Sequence, residues 1–276
     1  MEIQWYPGHM TKTKRQMQED IKVVDLVIEL LDARIPYSSR NPDIDSIAGS
    51  KSRLILLNKK DMADERITQG WQKFYEDQGL FVCGIDARNH KDMKQIDSVV
   101  QKACAKKIER DRARGIKNRP VRAMVVGIPN VGKSTFINTF ARKSVARVGN
   151  QPGVTRGKQW IRLSSTLELM DTPGILWPKF EDQEVGLKLA LTGAIKDDLN
   201  DPEELAFQLI KILGERYPGM VEEYYKIEEA SLENIAKARG CLKSGGVYDT
   251  LKASNMLLDN FRNGKLGRVS LEEANG

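Results

Sequence analysis

The chain has 276 residues, 40% of them hydrophobic and 30% charged, which is enough apolar material for one good core plus a smaller second domain and argues against global disorder. Its net charge is +6 and its pI about 9.1, a modest basic excess compatible with nucleic acid. No apolar run reaches the roughly 18 residues that span a bilayer, the first ten residues lack a charged-then-apolar leader, and Cys83, Cys104 and Cys241, with only His9 and His90 beside them, suit free thiols in a reducing cytoplasm better than disulfides or a zinc site.

Short apolar runs at 23–32 and 53–57, each closed by polar residues, predict buried parallel strands, and 80–85 predicts a third. Between them, 64–78 predicts a helix with Ile67, Trp71, Phe74 and Tyr75 inward, and 92–108 another with Met93, Ile96, Val99, Val100 and Ala103 inward. The basic stretch 110–122 is expected to be an exposed linker. A strand at 122–126 then runs into a glycine-rich loop and a helix from 133 to about 141. A hairpin follows at 159–163 and 166–170. Strand signals stop near 182. Asp201 and Pro202 form a helix start, with Leu205, Leu209, Ile212 and Leu213 at helical spacing, and further helices are expected at 234–242 and 247–261. The pattern predicts an α/β domain over 1–180, with a parallel sheet carrying one antiparallel edge pair, and an all-helical domain over 181–276.

Three motifs carry the chemistry. Residues 127–134 (Gly-Ile-Pro-Asn-Val-Gly-Lys-Ser) match G-x-x-x-x-G-K-[ST], a loop whose backbone N–H groups converge on phosphate oxygens at a helix N-terminus. Asn130, Val131, Gly132, Lys133, Ser134 and Thr135 are the expected cradle, with Lys133 on the β/γ-phosphates and Ser134 on Mg²⁺. Residues 171–174 (Asp-Thr-Pro-Gly) match D-x-x-G, giving Asp171 to Mg²⁺ and the Gly174 N–H to the γ-phosphate. Thr155 lies between these motifs, where a switch threonine closes onto Mg²⁺. Residues 58–61 (Asn-Lys-Lys-Asp) match N-K-x-D. Asp61 can accept from guanine N1–H and its 2-amino group, a donor pair that adenine lacks. Asn58 and Lys59 complete that motif, and Ala87, in Asp86-Ala-Arg88, stands where an alanine N–H meets guanine O6. The plainer alternatives are a polar strand-end loop for 58–61 and a turn role for Asn130.

In an ordinary GTPase N-K-x-D comes last. Here it comes first, so the order is circularly permuted. Ras-like GTPases also place a glutamine just after D-x-x-G to orient water. Here that position is Ile175, which cannot polarise water. Two residues are candidates for the open role: His9, whose imidazole can hydrogen-bond water or simply sit in a turn or RNA contact, and Asn130, which can help hold K⁺ beside the phosphates.

The combination of 5–10 (Trp-Tyr-Pro-Gly-His-Met), 32–36 (Asp-Ala-Arg-Ile-Pro), 58–61, 127–134, 152–155 and 171–174, in that order, resembles the circularly permuted GTPases of the YlqF/YawG group over roughly residues 5–180. The resemblance implies a monomeric cytoplasmic GTPase acting late in assembly of the large ribosomal subunit through ribosomal RNA, with a helical C-terminal RNA-binding domain. The alternative is a GTP-gated RNA- or ribosome-binding module in which hydrolysis is incidental. Basic residues at 106–122 and late in the helical domain (Lys237, Arg239, Lys243, Lys252, Arg262, Lys265, Arg268) are compatible with RNA, and also with ordinary surface charge.

Overall fold

A computed structural model describes residues 15, 17–141, 160–170, 182–195 and 200–274. The chain divides into two compact units, Pro7–Pro178 with Glu272–Gly276, and Met1–Tyr6 with Lys179–Leu271.

The first unit is built on a six-stranded sheet. In chain order the strands are β1 (Leu26–Asp32), β2 (Ser52–Asn58), β3 (Phe81–Gly84), β4 (Val121–Val126), β5 (Trp160–Arg162) and β6 (Leu167–Met170), and in space they run β3-β2-β1-β4-β6-β5. All pairs are parallel except the edge hairpin β5–β6, the one antiparallel pair the sequence predicts. β1 is buried at every position, as a central strand covered on both faces must be. The strand that precedes the glycine-rich loop, β4, lies directly beside β1, so chain segments about a hundred residues apart meet at the middle of the sheet.

Alternation along the strands splits the side chains between two faces. On one face Val27 and Leu31 flank Glu29. Helices α1 (Ile44–Ala48) and α2 (Glu65–Asp77) belong to two apolar clusters there, one around Val27, Ile44 and Met124, the other around Leu31, Ile55, Trp71 and Tyr75. Glu29 sits between them, ion-paired to Arg40 at 3.2 Å and to Arg53, which keeps a buried carboxylate compensated. Asp64 caps α2 by accepting from the Arg66 and Ile67 N–H groups. The return segment also joins this layer. Glu272 accepts from Ser38 N at 3.0 Å and Ser38 Oγ at 2.7 Å, its carbonyl accepts from Trp71 Nε1 at 3.3 Å, and Ala274 packs on the Trp71 cluster. Residues 272–274 therefore group with the sheet, whereas the sequence reading placed them in the helical domain.

On the other face, α3 (His90–Ala103) packs against β2, β3 and α5 (Lys133–Ala141). The helix expected over 92–108 is two helices, because the chain breaks at Cys104 and restarts as α4 (Ala105–Ala113). The expected linker 110–122 thus begins inside α4. Lys107 pairs with Asp25 at 3.2 Å and Asp111 at 3.0 Å, and the Arg122 guanidinium lies 4.8 Å from the Trp160 ring centroid. Part of the basic run is therefore occupied by partners within the fold, while Lys106, Arg110, Arg112, Arg114 and Lys117 remain exposed.

The second unit contains α6 (Gln183–Leu191), α7 (Pro202–Arg216), α8 (Met220–Tyr225), α9 (Leu232–Ala238) and α10 (Thr250–Arg262). Asp201 caps α7 through the Glu203 N–H, with Pro202 at its first position. α9 stops before the predicted 242 because Gly240 turns left-handed at φ +62°, and α10 starts at Thr250 because Asp249 caps it through the Lys252 N–H. The short helix α8 was not predicted. It lies between the left-handed residues Gly219 and Lys226, too short to show a period. Arg262 donates to the carbonyls of Leu191 (3.0 Å) and Ala190 (2.9 Å), capping the end of α6.

Candidate functional site

The glycine-rich loop leaves β4 at Val126 and enters α5 at Lys133. A Cβ at Gly127 would stand 2.5 Å from the Leu30 carbonyl oxygen of β1, so only glycine lets the loop pass its neighbour strand. Gly132 has φ +102°, and a Cβ there would stand 2.5 Å from Asn58 Nδ2. Asn130 is left-handed at φ +57° at the exposed tip. Ser134 and Thr135, both half-buried, lie in the first turn of α5, at the positive end of the helix. The Lys133 ammonium donates to the carbonyls of Gly127 at 2.7 Å and Ile128 at 2.8 Å. Burial pushes its pKa down to about 7. Among the described residues no carboxylate pairs with it, so the loop is curled round a cation that an arriving anion would recharge.

Asn58 ends β2 and is buried. Its Nδ2 donates to the Val131 carbonyl at 2.7 Å, and its Oδ1 accepts from the Ala87 N–H at 2.9 Å. One amide therefore stitches together the three loops that the sequence reading named separately. The Ala87 N–H is engaged with Asn58, so a bond to a guanine oxygen would have to share it. Lys59 is left-handed at φ +62°, and its ammonium lies 2.8 Å from Asp32 Oδ2. Asp61 Oδ2 accepts from the Arg88 guanidinium at 2.5 Å, while Asp61 Oδ1 is buried and has no hydrogen-bond partner among the described residues. A buried acceptor left this way is costly, and the paired N–H donors of guanine would satisfy it. Arg88 is in turn held by Asp86 at 3.0 Å, and that hydrogen bond raises its pKa.

Support for this loop comes from residues to which sequence reasoning gave no role, although Asp32 and Arg34 belong to the 32–36 motif. Asp92, at the start of α3, accepts from the Asp86 N–H at 2.8 Å and pairs with Lys60 at 2.9 Å. Asp32 lies opposite Asn58 in the β1–β2 register. Its partner Arg34 donates Nε to Oδ1 at 3.0 Å and the terminal nitrogen to Oδ2 at 2.8 Å. Burial alone would raise the Asp32 pKa, but Arg34 and Lys59 outweigh it and hold the carboxyl well below the usual range. Burial lowers the Lys59 pKa, opposed by Asp32. The signal available in the sequence was an aspartate ending an otherwise apolar strand.

His9, Thr155, Asp171, Gly174 and Ile175 lie outside the described residues. β6 ends at Met170, in parallel register with Met124 of β4, so the D-x-x-G motif begins just beyond a strand that runs alongside the one feeding the glycine-rich loop. Among the described residues no group of three or more His, Cys, Asp or Glu side chains is placed to hold a metal, so a cation here would draw on Ser134, phosphate oxygens and residues outside that set.

Residues 122–238 match the family model described as 50S ribosome-binding GTPase. The chain is 48% identical over 280 residues to ribosome biogenesis GTPase A of Priestia megaterium, covering 99% of this chain and 97% of that one. It is 46% identical over 278 residues to the protein of the same name from Bacillus cereus, covering 99% and 94% respectively. Among solved structures, GNP-bound YlqF from T. maritima superposes with a TM-score of 0.68 at 29% identity, covering 95% of this chain and 98% of that one.

Proposed function

Because the chain belongs to the family of circularly permuted GTPases that includes ribosome biogenesis GTPase A, we propose that its GTP cycle times a late step in assembly of the large ribosomal subunit. The chain is a GTPase with a role in ribosome biogenesis. The observation that carries the reading is the pair of hydrogen bonds made by the Asn58 side chain, which joins the phosphate loop at Val131 to the guanine-reading segment at Ala87 although the motifs stand in permuted order.

In this reading Asp61 and Lys59 hold guanine, and the backbone from Asn130 to Thr135 holds the phosphates. Lys133 is recharged by the β- and γ-phosphates that it steadies. Mg²⁺ would be held by the hydroxyl of Ser134, with Thr155 and Asp171, the latter directly or through water, as further partners, and it would supply positive charge to the phosphates. The Gly174 N–H senses the γ-phosphate. Asn130, at the loop tip, would offer its amide oxygen to K⁺. Ile175 gives no help to the attacking water, so the intrinsic rate is low and the particle raises it, with His9 as the residue of this chain that can orient water.

RNA recognition is supported by the exposed cations Lys106, Arg110, Arg112, Arg114 and Lys117 in the first unit, and by Lys237, Lys243, Lys252, Lys265 and Arg268 in the helical unit. Arg262 and Arg239 contribute less to such a face. The first caps α6, and the second lies 5.0 Å from the Tyr225 ring centroid. Among the described residues no helix is long and apolar enough to cross a membrane. The test is GTP turnover with and without purified large ribosomal subunits, in potassium and in sodium buffer. Stimulation by the particle is expected, greater in potassium. Turnover unchanged by the particle in either salt overturns the timed-hydrolysis reading in favour of a GTP-gated binder.

A further inference from the structure

We propose that Asp32 is a positioning residue for guanine-nucleotide binding: anchored by Arg34, its carboxylate fixes the Lys59 side chain of the guanine-reading loop in one pose. This rests on the reading of residues 58–61 as the guanine site.

Lysine is a poor wall for a binding site when left to itself. Its stem has four rotatable bonds, and a nucleotide that needs it in one rotamer must order it on binding. Here both ends are fixed beforehand. The backbone of Lys59 is held left-handed at φ +62°, and its ammonium is held 2.8 Å from Asp32 Oδ2. The anchor is itself immobile. Asp32 is 1% exposed, and Arg34, also 1% exposed, binds both of its carboxylate oxygens. The Arg34 N–H adds a bond to Oδ1 at 3.1 Å. The Asp32 N–H donates to Ser39 Oγ at 3.1 Å, and the Ala33 N–H donates to the Asn58 carbonyl at 2.7 Å, one residue before the lysine. The arrangement places a fixed anion at the end of the central strand between β2 and β4, where both nucleotide loops emerge. Its electrostatics agree: Asp32 stays ionised although fully buried, which keeps the partner of Lys59 charged across the physiological range.

The test measures release of fluorescent GDP in a double-mutant cycle of Asp32→Asn and Lys59→Met in the full chain. Asp32→Asn is expected to speed release by on the order of tenfold, the scale of ordering one long side chain. In the Lys59→Met background the same substitution is expected to change release less than twofold. A purely structural Asp32 would give the same factor in both backgrounds, and that result overturns the proposal. The cycle is repeated with Asp32→Asn combined with Arg34→Gln, which leaves no buried guanidinium unpaired, so loss of folding in the single variant does not decide the answer. If neither Lys59→Met nor Asp61→Ala alters guanine-nucleotide binding, the guanine-site reading falls and the proposal falls with it. If both weaken binding and the cycle is additive, only the role of Asp32 is refuted.

Discussion

Raising the pH above neutrality weakens GDP binding through Lys133, and the size of the effect follows from the loop geometry. The ammonium rests on two carbonyls, and burial puts its pKa at about 7. At pH 8 such a group is about one-tenth protonated. With phosphate oxygens beside it, it returns to the ordinary lysine range near 10.4, where it is almost fully charged. Binding therefore takes up about 0.9 proton per nucleotide at pH 8. The bound state holds more protons, so affinity falls as pH rises, by about tenfold or 1.4 kcal/mol per unit between roughly pH 8 and 10, and it is nearly flat below pH 6.5. Titration calorimetry of GDP at pH 8 in two buffers of different ionisation enthalpy reads the uptake directly, since the phosphates, with a second pKa near 6, are already ionised. Lys133→Arg, charged at every accessible pH, should abolish the uptake. Uptake below about 0.2 proton at pH 8 in the natural protein, or unchanged uptake in the arginine variant, would refute the assignment.

Other substitutions test the remaining geometry. Asn58→Ala strands the Ala87 N–H and the Val131 carbonyl, and should cost about 2–4 kcal/mol in denaturant unfolding as well as guanine-nucleotide affinity. Gly132→Ala meets both a positive φ and a 2.5 Å approach to Asn58, and should abolish detectable GTP binding by equilibrium dialysis. Gly70→Ala, mid-helix with open space around it, should stabilise the protein by about 0.5–1 kcal/mol and leave binding intact. Glu272→Ala leaves the buried Ser38 N–H unpaired, at about 1–3 kcal/mol, and should lower the melting temperature by several degrees in calorimetry.

The strands were legible because β1, β2 and β4 are largely buried and read as mostly apolar runs, and because α5 begins where the phosphate loop dictates. The break at Cys104 was not legible, since the apolar spacing of α3 carries on past it into Ile108. Nor was the use of Lys107, Arg119 and Arg122 around Asp25, Asp111 and Glu168, because a run of positive charge gives no sign of acidic partners brought from another strand. At the site, Asn58, Lys133 and Asp61 were identified by motif. Their supporting residues, Asp32, Arg34, Asp92 and Arg88, reach them through sheet register and helix placement, which local spacing does not encode.

The bond between Ser38 and Glu272 spans 234 residues, and its consequence falls on the nascent chain. At about 5–20 residues per second, translation needs roughly ten to fifty seconds to bring Glu272 out after Ser38. Throughout that interval the Trp71 indole N–H lacks its carbonyl partner and the apolar layer around it lacks Ala274. The open edge of β1 also waits, for β4. The half of the protein that reads the base is therefore synthesised first and stays incompletely covered until the helical unit has been made. Nucleotide cannot help that half fold until the phosphate loop arrives.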